Sequence, residues 1–365
     1  MSAAPRVSVL MAAYNAERYI DQALGSLLAQ TYQDWELIVV DDGSTDSTGV
    51  RLREWGRKDS RIHVHHNEAN LGIGVTRRTT LALAKGRYAA VLDADDVALP
   101  EWLAARVDTL DRHPEVVLVS GSRIFIGGKG DRLRITHEAA SPELLRWQLL
   151  FGNPVNQPSC MFRVEAARGV GGYIADPYLE DWDLFVRLCS VGRLVQLDVP
   201  HVMYRVHHAN TSLSVGADRE RLEPVAAKIM RRAVAQATGL TVPVGLTWYL
   251  FRGRYVFRGD PGKSRQALEF LSTVFRVFLE HNDVGAQTSL IGAAALDDAA
   301  NVLRCGGSSP AQATKGLAAI LSCAGVRVLF TWSGLRGAIK VSLLPVATGI
   351  RLLQARTGSK ADHVG

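Results

Sequence analysis

The chain has 365 residues, of which 47% are hydrophobic and 21% are charged, so it can bury a sizeable core and is not a disordered chain. Its length allows two domains, or one domain with an appendage. The net charge of +6 is unevenly distributed, because residues 1–230 carry 26 Lys and Arg against 29 Asp and Glu, whereas residues 231–365 carry 16 against 7. The basic C-terminal third suits an anionic surface such as lipid, or it forms an ordinary solvated helical surface.

Cysteine spacing and the first residues of the chain bear on its compartment. The four cysteines are widely spaced and contain no CxxC pair, which argues against a zinc site and against a disulfide framework. The N-terminal residues lead directly into an apolar segment, without the basic and long apolar regions of a secretory signal. We therefore expect a cytoplasmic protein, with the inner face of the membrane as a peripheral contact for the basic third.

The first 120 residues alternate between apolar strands and amphipathic helices, as in βαβ units. The predicted strands cover residues 6–11, 35–40, 61–65 and 87–92, and the predicted helices cover residues 17–30, 47–57, 72–85 and 99–113. Gly86 is predicted to be the C-cap residue of the third helix. Parallel strands with right-handed crossovers form a doubly wound α/β sheet, which binds ligands at the carboxyl ends of its strands.

The pattern changes after residues 116–126. The glycine-rich turn 127–130 predicts a β-hairpin, and residues 141–212 mix short helices and strands. From about Arg219 onward the sequence predicts helices joined at glycines.

Three carboxylates follow the apolar segment 88–92, at Asp93, Asp95 and Asp96. Like charges at a strand end are unfavourable unless a cation lies there, and a divalent cation holding a diphosphate is the commonest reason for such a site. Carboxylates at positions i and i+2 of a turn can converge on one Mg²⁺ or Mn²⁺. The alternative, in which Asp96 caps the next helix and the others are solvated, explains one residue of three.

A second acidic turn, at Asp41 and Asp42, follows the apolar segment 35–40. Its side chains can accept hydrogen bonds from a nucleobase imide and from ribose hydroxyls, and Gly43 permits close backbone approach. Helix capping explains Asp46 but does not require Asp41 and Asp42 as well. Because both acidic turns end strands of one predicted sheet, they can face one nucleotide-diphosphate pocket.

A third acidic group, Glu180 and Asp181 beside Trp182, opens an amphipathic helix. One of these acids could serve as the partner of the helix dipole. A carboxylate at a helix start beside a tryptophan is equally suited to act as a general base. Spacing alone does not decide between these two roles.

Two further patterns bear on ligand binding. His207 and His208 end a strand, where one could contact a diphosphate or complete a metal shell, or both could be exposed loop histidines. Residues 70–74 contain a GxG, but the third glycine of a dinucleotide fingerprint is replaced by Arg77. The first βα turn, residues 12–15, lacks glycine, so hydride chemistry with NAD is disfavoured.

Together these residues resemble the inverting family-2 glycosyltransferases of the GT-A fold, from residue 6 to about residue 212. The matching parts are the opening strand up to Tyr14 and Asn15, the nucleotide-binding turn 41–46, the helix start with Asn70, Gly72 and Arg77, the metal-binding group 93–96, the pair Glu180 and Asp181, and His207. The resemblance implies a GT-A catalytic domain at residues 1–215, with a nucleotide-sugar half (about 1–120) and an acceptor half (about 121–215). Residues 216–365 form a basic helical C-terminal region that matches nothing in the family.

The resemblance also implies a role for each site residue. Asp181 is the implied catalytic base, and Mn²⁺ or Mg²⁺ is implied at Asp93, Asp95 and His207. The implied donor-binding residues are Tyr14, Asp41, Asp42, Asn70, Arg77 and Asp93. The expected partners are a nucleotide-diphospho-sugar donor and a glycan or lipid-linked acceptor, as in surface polysaccharide or glycolipid synthesis, with a homodimer also considered and no nucleic acid expected.

Two alternatives belong to other classes of protein. A nucleotidyltransferase can use a similar α/β domain and metal, but it usually needs a glycine-rich basic loop after the first strand. A non-catalytic protein that binds membrane or nucleic acid would use the basic and aromatic residues of the C-terminal third, which include Trp248, Tyr249, Arg252, Arg254 and Tyr255.

Overall fold

The computed structural model of the chain describes residues 4–176, 178–208, 210, 219–251, 260–306, 326–331 and 340–345. Arg252, Arg254 and Tyr255 lie outside these segments, as does most of the sequence beyond residue 306 that was predicted to be helical.

The described residues form a large sheet and a separate hairpin. The strands are β1 Val7–Ala13, β2 Trp35–Asp41, β3 Ile62–His66, β4 Tyr88–Val91, β5 Val97–Ala98, β6 Val116–Gly127, β7 Arg132–Ile135, β8 Met161–Arg163, β9 Arg193–Val206, β10 Val326–Thr331 and β11 Lys340–Pro345. The first nine form one sheet in the order β3-β2-β1-β4-β8-β6-β9-β5, with β7 paired to β6, and β10 pairs with β11.

Helices cover both faces of this sheet. They are α1 Ile20–Leu28, α2 Thr48–Lys58, α3 Ile73–Leu83, α4 Trp102–Arg112, α5 Pro142–Gln148, α6 Val164–Gly169, α7 Glu180–Leu188, α8 Arg219–Thr238, α9 Thr247–Leu250, α10 Pro261–His281 and α11 Thr288–Gly306. In the part of the chain that the structure describes, no helix is both long enough and apolar enough to cross a membrane.

Alternation along the buried strands divides the core into two layers. In β1, Val7, Val9 and Met11 face the layer under α1, α2 and α4, whereas Leu10 faces the layer under α3 and α5–α7. Strands β1, β2 and β4 are apolar nearly throughout because helices cover both of their sides. The second layer continues without interruption into α8–α11, so the C-terminal helices share a core with the sheet.

The predicted α/β class is confirmed, with β1, β2, β3 and β4 in parallel register. The second half of the sheet is mixed, because β8 runs antiparallel to β4 and β6, while β6 and β9 are parallel. The hairpin predicted at residues 127–130 is also confirmed, since β6 and β7 pair antiparallel around it. Helix α1 begins at Ile20 instead of residue 17, because the preceding residues form a turn.

Two predictions were wrong. Gly86 does not cap α3, which ends at Leu83; a glycine is needed there because a Cβ would lie 2.6 Å from the backbone nitrogen of Ser8 in β1. The sequence after residue 219 is not helical throughout, because residues 326–331 and 340–345 pair as antiparallel strands. Val, Phe and Thr in these segments favour strands, and that propensity outweighs the helical pattern inferred from the sequence.

Candidate functional site

The candidate residues of the predicted nucleotide-sugar half lie where parallel strands end. Ala13 of β1 pairs with Asp41 of β2, and Leu10 pairs with Val91 of β4. Tyr14, Asp42 and Asp93 therefore leave the sheet at the same edge, as the sequence predicted for the two acidic turns.

The first βα turn is tied directly to the acidic turn 41–46. Asn15 adopts a left-handed conformation with φ of 48°, and its side-chain oxygen accepts a hydrogen bond of 2.9 Å from the backbone N–H of Thr45. Its own N–H donates to the Ser44 hydroxyl at 2.9 Å. This arrangement leaves the ring of Tyr14 49% exposed beside the turn, where it is available to a ligand.

Asp41 and Asp42 are both buried, and both shape the loop opposite them. Asp41 accepts a hydrogen bond from the Ser44 N–H at 3.1 Å and lies 3.2 Å from His66 Nδ1. Asp42 accepts from Asn67 Nδ2 at 2.7 Å and from the Leu71 N–H at 2.9 Å. The two carboxylates thus fix the backbone of the pocket wall, which is a structural role beside the predicted one in nucleoside binding.

Asn70 lies on the loop that Asp42 holds. Its side-chain oxygen and Asp42 Oδ2 both accept from the Gly72 N–H, each at 3.0 Å. Gly72 has φ of 88°, in the left-handed region, and directly precedes α3. Glycine at this position lets the chain turn from the loop into the helix that carries Arg77.

Arg77 connects two of the three acidic groups. Its guanidinium donates to Asp93 Oδ1 at 2.9 Å and, in a shorter contact, to Glu180 Oε1. Although burial lowers it, the charges of Asp93 and Glu180 hold the pKa of Arg77 above its ordinary value. The sequence suggested Arg77 as a donor-binding residue but gave no sign that it links β4 to α7, 103 positions away.

Asp95 and Asp96 are held by the end of β9. Asp95 Oδ2 lies 2.8 Å from His207 Nε2, and Asp96 Oδ1 accepts from the Arg205 N–H at 2.8 Å. The helix-cap interpretation of Asp96 is therefore wrong, since α4 begins only at Trp102. Asn210, which sequence reasoning missed, also donates to Asp95 Oδ2 at 3.4 Å.

The electrostatics of this acidic group favour a cation. Burial, and then the neighbouring charge of Asp93, raises the pKa of Asp95, although His207 lowers it. Burial and the charges of Asp95 and Asp93 raise the pKa of Asp96 well above its ordinary value, and its second carboxylate oxygen is buried without a hydrogen-bond partner. A positive ion at Asp93 and Asp95 would relieve this repulsion.

No preformed cation cage exists in the described segments, where no three His, Cys, Asp or Glu side chains are arranged to ligate one ion. Mg²⁺ and Mn²⁺ bound with a nucleotide need few protein ligands, because phosphate oxygens and water complete the shell. The two carboxylates and the nearby imidazole of His207 are the oxygen and nitrogen donors that such an ion accepts. The residues present therefore fit a divalent cation that is held jointly with a diphosphate.

Asp181 lies in the first turn of α7. Its Oδ2 accepts from Asn153 Nδ2 at 2.8 Å, and its Oδ1 accepts from the Trp182 N–H at 2.7 Å. Burial raises the pKa of Asp181, and Arg77 lowers it in opposition. A carboxylate that is oriented by an amide and is more basic than usual is suited to proton abstraction. Both roles predicted for this acidic group, at a helix start and as a base, are thus physically compatible.

Sequence reasoning missed Asn153, which a loop brings to Asp181 from 28 positions away. It also missed that Glu180 is a partner of Arg77. Burial raises the pKa of Glu180 to about 7, although Arg77 lowers it. The sequence gives little sign of this contact. An arginine in one helix and an acid in another are also found among many surface residues that do not pair.

The chain is similar to proteins of one known family. Residues 8–169 match the model of the family described as Glycosyl transferase family 2, a range that includes Tyr14, Arg77 and Asp95 but ends before Asp181 and His207. An uncharacterized glycosyltransferase of Haemophilus influenzae is 32% identical over 222 residues, which are 58% of this chain and 69% of that protein.

A second relative has a more specific name. The UDP-Glc:alpha-D-GlcNAc-diphosphoundecaprenol beta-1,3-glucosyltransferase WfgD of Escherichia coli is 42% identical over 102 residues, which are 28% of this chain and 38% of WfgD. Among solved structures, residues 1–349 of S. aureus TarS in complex with UDP align with a TM-score of 0.53 and 19% identity. That alignment covers 82% of this chain and 89% of the other, and at this identity it concerns the fold alone.

Proposed function

This chain belongs to glycosyl transferase family 2, and we propose that it moves a sugar from a nucleoside-diphosphate donor to an acceptor hydroxyl with inversion at the anomeric carbon. One observation carries the proposal. Arg77 contacts both Asp93, at the strand end, and Glu180, which directly precedes Asp181 in α7. A donor-binding edge and a candidate base are thereby joined in one ionic network.

The donor would lie along the carboxyl edge of the sheet. Tyr14, Asp41 and Asp42 would contact the nucleoside, and Asn70 would lie near the ribose or diphosphate. Asp93, Asp95 and His207 would hold Mn²⁺ or Mg²⁺ against the diphosphate. Such an ion supplies charge stabilisation to the leaving diphosphate when it is bound.

The base would be Asp181. Its carboxylate takes the proton of the acceptor hydroxyl, whose oxygen forms the new bond to the anomeric carbon from the face opposite the nucleotide. The bond between that carbon and the diphosphate oxygen breaks in the same step, and the nucleoside diphosphate leaves with the bonding electrons. Asn153 orients the carboxylate, while the charge of Arg77 opposes the rise in the pKa of Asp181 that burial causes.

The acceptor would be a glycan or a lipid-linked glycan in surface polysaccharide or glycolipid synthesis, at the cytoplasmic face of the membrane. This proposal rests on the name of WfgD, which describes transfer to a diphosphoundecaprenol-linked sugar.

The non-catalytic alternative has less support. The described C-terminal segments 219–251 and 260–306 carry 9 Lys and Arg against 8 Asp and Glu, so the basic excess that would bind nucleic acid is not on these helices.

The test compares Asp95→Ala with Asp181→Ala. We expect each substitution to reduce sugar transfer by on the order of 10²-fold or more. Only Asp95→Ala should also weaken the Mn²⁺-dependent binding of the nucleoside diphosphate, measured by calorimetry. The donor is identified beforehand by a thermal-shift screen of UDP-glucose, UDP-GlcNAc and GDP-mannose with Mn²⁺.

Asp108→Ala is the control, because Asp108 is an exposed acid on α4 that pairs with Arg112. It should change neither transfer nor binding. An equal loss of nucleotide binding in Asp95→Ala and Asp181→Ala would remove Asp181 from its role as the base.

A further inference from the structure

The first turn of α7 presents acids to two opposite sides. Asp181 contacts Asn153 at the candidate site, whereas Asp183, two positions later, is 1% exposed and contacts other elements. Side chains at i and i+2 of a helix lie about 200° apart, so they cannot share a face. Because both residues belong to the first turn of one helix, the contacts that hold Asp183 also set the position of Asp181.

Asp183 is held by two arginines, one of which comes from the C-terminal region. Arg187, one turn later in α7, donates to Asp183 Oδ2 at 2.8 Å through its Nε. Arg232 of α8 donates to the other carboxylate oxygen at 2.5 Å. A buried carboxylate that is shared by two helices fixes one helix against the other, because moving either would leave a buried charge without its partner.

A second connection reaches Asp181 from α11. Asp298 of α11 accepts a hydrogen bond from Trp147 Nε1 in α5 at 3.1 Å. Trp147 also packs edge-on against Phe275 and Phe278 of α10, with centroid distances of 5.5 and 5.3 Å. The loop that follows α5 carries Asn153, the amide partner of Asp181.

Trp182 joins these two connections beneath the site. Its indole N–H donates to the Leu149 carbonyl at 2.9 Å, in the loop that follows α5. Its ring lies 5.5 Å from that of Phe251, which in turn stacks on Trp248 of α9 at 5.4 Å. The residue after the candidate base is thus enclosed between the acceptor half and the C-terminal helices.

The backbone at the start of α7 also needs this support. Leu179, directly before α7, has φ of 58° in the left-handed region, which is costly for a residue with a Cβ. Its side chain packs against the hydrophobic core that contains the C-terminal helices. A strained turn of this kind persists only where its surroundings determine it.

From these contacts we propose that the C-terminal helices are part of the catalytic apparatus, with Arg232 and Asp298 as positioning residues that hold Asp181 and its amide partner in place. The inference rests on the proposed function, because it explains these contacts by the need to position Asp181 as the base. It gives a role to a region of the chain that lies beyond residues 8–169, the range matched by the family model.

The first experiment needs no donor. Hydrogen exchange of the full chain is followed by mass spectrometry in peptides that span residues 149–153 and 179–188. Arg232→Met and Asp298→Leu should each speed exchange in residues 179–188, and Asp298→Leu should also speed it in residues 149–153. The matched controls are Arg231→Met and Asp297→Leu, exposed neighbours in the same helices, and these should leave exchange unchanged.

The second experiment separates positioning from general damage to the fold. Arg232→Met should lower kcat by up to about 10²-fold, as expected for a catalytic group displaced by about 1 Å, while the affinity and stoichiometry of nucleoside-diphosphate binding stay unchanged. Arg232→Lys, which keeps the positive charge, should recover most of kcat. If Arg232→Met were too unstable to assay, the milder Arg232→Gln, which keeps a hydrogen-bond donor but removes the charge that pairs with Asp183, gives the same comparison.

Three results decide the matter. Unchanged exchange and unchanged kcat in Arg232→Met and Asp298→Leu would overturn the inference. Parallel loss of kcat and of nucleotide-binding sites would also overturn it, because it would indicate ordinary unfolding. Full activity in Asp181→Asn would instead refute the proposed base, and the exchange result would then still report whether the helices hold the turn.

Discussion

Residues 1–120 and residues 121–215, which we propose as the nucleotide-sugar half and the acceptor half, build their parts of the site in different ways. In the first, Asp41 and Asp42 contact backbone groups and side chains no further away than Gly72, and the parallel register of β1, β2 and β4 brings the turns together. In the second, Asp181 depends on Asn153 directly and on α8 and α11 through Asp183 and Trp147. The turn at Asp41 and Asp42 is thus determined by contacts within 30 positions. In contrast, Asp95 and Asp96 depend on the distant end of β9, and the surroundings of Asp181 depend on the C-terminal helices.

The largest expected effect comes from removing the distant elements. A chain that ends at residue 218 would expose Trp147 and Trp182, both 0% exposed, together with the other core residues that α8–α11 cover. Losing the packing of one buried large aromatic costs about 3–5 kcal/mol, against a typical total stability of about 5–15 kcal/mol. We expect this chain to be insoluble or to show no cooperative thermal transition.

The control is a chain that ends at residue 345, which keeps every described strand and helix. It should unfold as cooperatively as the full chain. A soluble fragment of residues 1–218 with a sharp thermal transition would contradict the comparison, because it would show that the acceptor half is stable without the C-terminal helices.

The next effect concerns the residue that joins the two halves. Arg77→Met leaves Glu180 and Asp93 without their shared cation, and removing one partner from a buried ion pair costs about 3–5 kcal/mol. We expect a lower thermal midpoint and a loss of sugar transfer of about 10²-fold or more, because both the strand end and α7 are released.

Arg78→Met is the matched control, because Arg78 is the exposed neighbour of Arg77 in α3. Adding Glu180→Gln to Arg77→Met should recover part of the stability, since the amide needs no cation. No recovery in the double variant would mean that Arg77 acts through Asp93 alone and that the halves are not coupled through Glu180.

The same contrast explains which features could be predicted from the sequence. The strands of the nucleotide-sugar half and the common edge of Asp41 and Asp93 follow from local periodicity and from the topology of parallel sheets. The C-terminal partners of Asp183 and Trp147 lie 49 and 151 positions away, and neither periodicity nor composition identifies such contacts. Gly86 was misassigned for a similar reason, because its neighbour Ser8 comes from a distant strand.

The smallest expected effect is a change in the pH dependence of stability. Burial raises the pKa of Glu180 from an ordinary value of 4.5 to about 7, although Arg77 opposes the shift. Because the folded chain binds this proton more tightly than the unfolded chain, the contribution of Glu180 to stability is complete below pH 4.5 and is lost as the pH rises through about 7. The total loss would be about 3 kcal/mol.

Glu180→Gln should therefore gain stability relative to the unsubstituted chain as the pH rises from about 4.5 to 7, measured by urea unfolding in buffer without divalent cations. Glu143→Gln is a control of opposite sign, because backbone and Arg193 hydrogen bonds outweigh burial and hold the pKa of Glu143 below its ordinary value. The loss of stability caused by Glu143→Gln should become smaller as the pH falls, because Glu143 of the unsubstituted chain then becomes protonated. Parallel pH curves for Glu180→Gln and the unsubstituted chain would mean that Arg77 keeps Glu180 ionised at every pH tested, and that the ionic contact between the two halves outweighs the burial of its acid.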